Sequence, residues 1–141
     1  MLGASACNAA AVSIDPPSPS GLVVESCDRL GTALPDSLGG LKVRPTKPRS
    51  SLTHAWGSPP VTLSCGVAKP SGYSPDSSST LSVDNVQWYE QVGKDDAIWT
   101  AVRPTPLSAN RIYVALIVPK SYQQGAAFLT ALASPLKTTL D

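Results

Sequence analysis

Cys7, Cys27, Cys65 and His54 are the residues of this chain best equipped for covalent or metal chemistry. Cys65 lies in "PPVTLSCGVAKP" (59–70), a run that alternates apolar with small polar residues. As a nucleophile it would need a neighbouring base, usually histidine, and a depressed pKa. The sole histidine, His54, sits in a proline-rich stretch, and no Cys-His signature surrounds either residue. As a zinc ligand it would need three or four closely spaced partners. Neither C-x-x-C nor H-x-x-x-H occurs, so Cys27, Cys65 and His54 would have to meet through tertiary structure alone. The third use, a disulfide with Cys27, requires only that the two side chains face each other.

Other constellations are sparse. Asp95 and Asp96 are adjacent on a turn sequence, where carboxyls diverge instead of facing each other across a substrate. No G-x-S-x-G elbow, phosphate-binding loop or G-x-G-x-x-G fingerprint is present, and no cofactor is implied. Formal net charge is +1 with the basic residues scattered, unlike the basic stripe of a nucleic-acid binder. "KVRPTKPR" (42–49) collects four cations between prolines; it suits either plain solubility or contact with anionic head groups or an acidic partner. Trp88, Trp99 and Tyr89 offer an aromatic binding surface for glycan or protein if they face solvent. The competing reading, which the sequence favours, is cross-strand packing within a sheet.

These residues need elements to position them. Leu22, Val23, Cys27, Leu30 and Leu34 recur at helical spacing up to Pro35, predicting a first helix with Cys27 on its apolar face. Residues 35–60, rich in proline and containing Gly39-Gly40, read as one long loop. Alternation then predicts strands at 61–67, 80–83, 86–91, 97–102 and 111–118. Ser121 and Gln124 form an S-x-x-Q capping box before a second helix that Pro135 would end. The expected fold class is therefore α+β: a two-layer sandwich of four or five antiparallel strands with two helices packed on one face.

In that arrangement Cys27 on the helix and Cys65 on the first strand point inward and can bond. The bridge closes a loop of 38 residues, for which chain entropy gives about 4 kcal/mol. Two reduced cysteines acting as small hydrophobes are the alternative. A bridge implies an oxidising compartment. The start of the chain points the same way: Ala4-Ser5-Ala6 resembles an export cleavage pattern, and Cys7 follows it in a weak lipoprotein box. Residues 1–19 accordingly read as a tether and remnant of an export signal, with Cys7 the candidate lipid attachment point, and 20–141 as one domain.

"SCDRLGTALPDSLGGLKVRP", "LTHAWGSPPVTLSCGVAKPSGY" and "NVQWYEQ" resemble an uncharacterised family of exported, membrane-tethered proteins of high-GC Gram-positive bacteria, domain of unknown function 3515. The resemblance runs from about Pro16 to Leu140 and implies the same pair of cysteines and the same outer location, but no activity.

The expectation from the whole sequence is a non-enzymatic domain at the outer face of the cell membrane that binds or supports another envelope component. The alternative is an envelope hydrolase acting on cell-wall material. Its site would lie in the 35–60 loop near His54, with a carboxylate in the pocket.

Overall fold

Strict alternation builds the centre of the sheet. In "VTLSCGV" and "RIYVALIV" every second residue is apolar, and both segments are strands whose apolar sides face the same core. The computed structural model describes residues 10–105 and 108–140. In chain order these form β1 (Val12–Ser13), α1 (Gly21–Ala33), β2 (Ser37–Leu38), β3 (Leu41–Arg44), β4 (Thr46–Lys47) and β5 (Thr53–Trp56). Then follow β6 (Val61–Val67), β7 (Thr80–Val83), β8 (Val86–Val92), β9 (Asp96–Thr105), β10 (Ser108–Pro119) and α2 (Gly125–Thr139).

The main sheet has eight strands in the order β2-β3-β5-β6-β10-β9-β8-β7, every neighbouring pair antiparallel. It consists of two meanders, 37–67 and 80–119, joined along their last strands, β6 and β10. A separate parallel pair, β1 with β4, ties Val12 and Ser13 to Thr46 and Lys47.

This corrects the expected sandwich of four or five strands: the described chain is mostly β, and three of the extra strands of its main sheet come from the stretch read as loop. The physical reason lies in the turns. Gly39 and Gly40 have φ of +56° and +87° and connect β2 to β3 through a two-residue hairpin, with Leu38 paired to Leu41. Positive φ at both central positions is what a type I′ turn demands. Asp84 and Asn85, with φ of 49° and 68°, do the same between β7 and β8. Gly39-Gly40, which reads as a strand breaker, is thus a hairpin turn between strands of two and four residues, too short to display a period.

The main core gathers Cys27 and Leu30 of α1 and Phe128, Leu129 and Leu132 of α2 with the inward residues of β6, β8 and β10. Trp56 is fully buried there, its indole N–H donating to the Pro35 carbonyl at 3.0 Å. A second, smaller cluster of Tyr73, Tyr89 and Val102 covers part of the opposite sheet face. Tyr73, from the β6–β7 connection, packs edge-on against Tyr89 with ring centroids 5.3 Å apart.

The second helix departs from expectation at both ends. Gln124 is the residue before its first turn, and no side chain caps it, so the Ser121–Gln124 box does not form. Pro135 lies inside the helix, which continues to Thr139. Proline removes one N–H, leaving the Ala131 carbonyl without its helical donor. Ala131 is on the exposed side, where water can satisfy that oxygen. The helix is then held down by buried Leu132 and Leu136 on its other side.

Candidate functional site

Cys27 and Cys65 are covalently joined, with an S–S distance of 2.09 Å and Cα atoms 5.7 Å apart. Both are fully buried. Alternation along β6 turns Cys65 inward, and helical spacing turns Cys27 toward it. Disulfides persist in oxidising compartments, so the bond indicates an oxidising, extracytoplasmic environment for this domain. Among the described residues no helix is long and apolar enough to cross a membrane. Cys7, the candidate lipid attachment point, and the cleavage-like residues before it lie outside the described residues.

Immediately after the staple the sheet breaks register. Tyr113 pairs with Val67 and Val114 with Cys65, so Gly66 is an extra residue bulged out of the ladder. Its φ is +91°, and a β-carbon there would lie 2.7 Å from Cγ of Pro19. Only glycine meets both conditions. The segment before α1 therefore packs directly on the bulge. Beside it opens a cleft of about 530 Å³, whose walls include Pro17, Val23, Val67, Lys69, Arg111 and Tyr113. Lys69 and Arg111 are exposed, and among the described residues no Asp or Glu lines the cleft. Its chemistry is that of binding, with apolar walls and two cations. Sequence reasoning gave none of these residues a functional role. A glycine inside an alternating strand is nonetheless a legible sign of a bulge.

His54 is not in a loop but on β5, paired with Leu63. Its imidazole lies against α1, where a β-carbon on Gly31 would be 3.2 Å from Cε1, and Nε2 is 3.1 Å from the Ser51 carbonyl. Ser51 in turn hydrogen-bonds Asp28 of α1. Burial lowers the imidazole pKa from its ordinary 6.5, and the hydrogen bond to Ser51 opposes this in part. The unfolded chain thus holds this proton more tightly, so the stability contributed by neutral His54 is full above about pH 6.5. It is lost as pH falls through the window below that value to the depressed folded pKa. Thermal melts between pH 7 and pH 5 will show the midpoint falling, and His54→Gln will flatten that limb. An equal slope in the variant would locate the acid sensitivity elsewhere.

A second cavity, about 250 Å³, adjoins His54. The hydrolase alternative required a carboxylate pointing into it. The described residues lining it include Arg44 and Arg49 but neither Asp nor Glu. Among the described residues, no three His, Cys, Asp or Glu side chains are grouped to hold a metal ion.

The proposed aromatic surface is corrected. Trp88 is fully buried, and Trp99 packs partly buried against the same core. Register explains this: Trp88 pairs with Ala101, which puts it on the face that Trp99 shares. Tyr89 points to the opposite face, where it is only 8% exposed beneath Tyr73. The three residues form no common solvent-facing surface, and sheet packing accounts for all of them.

No curated protein and no solved structure matches this chain. A family described as "Protein of unknown function (DUF3515)" matches residues 3–141, spanning the staple, the bulge and both cavities. The chain belongs to that family.

Proposed function

We propose that this is a non-enzymatic extracytoplasmic domain, held at the outer face of the cell membrane, that binds or supports another component of the cell envelope. The observation that carries the reading is the cleft beside the Cys27–Cys65 corner, with apolar walls, two exposed cations and, among the described residues, no acid–base pair. A partner presenting an apolar segment with neighbouring acidic groups fits that surface, and a rigid bulged corner holds it in place without induced ordering. The membrane attachment rests on Cys7 as the lipid-bearing residue, directly after Ala4-Ser5-Ala6.

Two experiments test this reading. Crosslinking and affinity purification from native membranes will recover a partner with the wild-type chain and lose it with the Lys69→Glu, Arg111→Glu double variant. A chain that elutes alone under every condition overturns the binding role. Intact mass and fractionation test the anchor: Cys7→Ser will release the protein from membranes and remove the added lipid mass. An unmodified Cys7 in the native host removes the lipid attachment.

A further inference from the structure

The cationic segment 42–49 is not a floppy run. It forms β3 and β4, and two of its cations converge on the cavity next to β5. Six polar side chains line that cavity: Arg44, Arg49, His54, Thr46, Ser50 and Thr53. Val43, half exposed, sits on the same wall. The volume, about 250 Å³, equals that of roughly eight waters at about 30 Å³ each. A tetrahedral oxyanion with a few attached carbons fits within it.

Charge is the stronger reason. Arg44 is partly buried, and its two terminal nitrogens donate to neutral carbonyls, Gly57 at 2.9 Å and Ala10 at 2.7 Å. Its Nε is buried with no hydrogen-bond partner. Among the described residues neither Arg44 nor Arg49 has a carboxylate partner. A guanidinium withdrawn from water without a counter-ion is costly, and an anion beside it offsets that cost. Guanidinium and hydroxyl groups together are the donor set that suits an anion with several acceptor oxygens. The hydroxyls of Thr53 and Thr46 are already 3.5 Å apart, a separation that one shared acceptor oxygen can bridge.

We propose that this cavity at the diverging ends of β3 and β5 is a binding site for a phosphate ester, held by Arg49, the field of Arg44 and the hydroxyls of Thr46, Ser50 and Thr53. Val43 on the rim meets the ester's carbon. The phosphate is carried by a lipid head group or by a soluble ester, two sources of the same chemistry. The site shares no residue with the cleft at Lys69 and Arg111, so either can fail without the other.

The test uses the sole histidine as reporter, since one ring gives one set of imidazole resonances. Titration of the folded, oxidised protein with glycerol 3-phosphate will move the His54 ring and Thr53 amide signals saturably, at millimolar concentration. Arg49→Ala will weaken this binding by about tenfold, the loss of roughly 1.4 kcal/mol expected of one exposed charge-assisted contact. Lys42→Ala and Lys47→Ala, exposed cations outside the cavity, will change it less than twofold. Vesicles of phosphatidylglycerol, set against phosphatidylcholine alone, separate the sources. Arg49-dependent sedimentation assigns the site to a head group, whereas binding of the soluble ester alone assigns it to a free ester. The proposal is overturned if the signals never saturate, if acetate binds as well as the phosphate, or if the lysine variants lose as much as Arg49→Ala.

Discussion

Replacing Cys27 and Cys65 together by serine will lower unfolding stability by about 4 kcal/mol, the chain-entropy value for the closed loop of 38 residues. A domain of this size has about 5–15 kcal/mol in total, so the variant retains only a small margin. The midpoint of thermal unfolding will fall by on the order of 10–15 °C, given a few degrees per kcal/mol at this length. The loss is concentrated in one place. The loop contains β2, β3 and β5, which with β6 make one half of the main sheet, and β4, which pairs with β1. Without the bond, α1 is held by Leu30 and Val23 in the core, by its contacts with α2 and β6, and by His54 and Ser51 beside it. Denaturant titration of the wild type with and without reductant, beside the serine variant, checks this. A midpoint unchanged by reduction would mean that the packing of α1 suffices alone.

The second large effect will come from a single methyl group. Gly39→Ala puts a β-carbon 2.4 Å from Cε1 of Phe128, a side chain with no solvent exposure, at a backbone φ of +56°. The left-handed conformation costs an alanine roughly 1 kcal/mol, and forcing the ring aside adds about 1–3 kcal/mol. A total near 2–4 kcal/mol is expected, larger than most substitutions of glycine in a hairpin. The two contributions separate in a double-mutant cycle. Phe128→Leu is itself destabilising, but in its background the Gly39→Ala penalty will shrink to the conformational part. If the penalty is the same in both backgrounds, the hairpin and α2 are not in the close contact described.

These two sites also show what the sequence made legible. Cys27 and Cys65 were readable because each lies on a segment long enough to display its period: thirteen residues of helix and seven of strand. The bond follows from two inward-facing stripes. Gly39 was not readable as a hairpin because β2 has two residues, which offer no alternation to detect. Glycine then signals only a break, and what it joins stays hidden. The cleft is assembled from segments far apart in the chain, and no local pattern announces it. The cavity beside His54 comes from the single stretch 43–54, whose cations were legible but whose folding into short strands was not. Trp88 and Tyr89 illustrate a different limit. Adjacent aromatics on a strand must point to opposite faces, yet which one is interior depends on pairing with β9 and on Tyr73 arriving over the far side.

The order of the strands sets a schedule. The two halves of the main sheet meet only where β6 lies beside β10, with Leu63 opposite Leu116. A chain emerging from its amino end completes the first half long before the partner of β6 exists. During that interval the inner border of the half-sheet is a bare row of amide and carbonyl groups, open to any extended segment nearby. Non-local closure of this kind is slow relative to local hairpins. The seam that closes last therefore runs through the middle of the molecule.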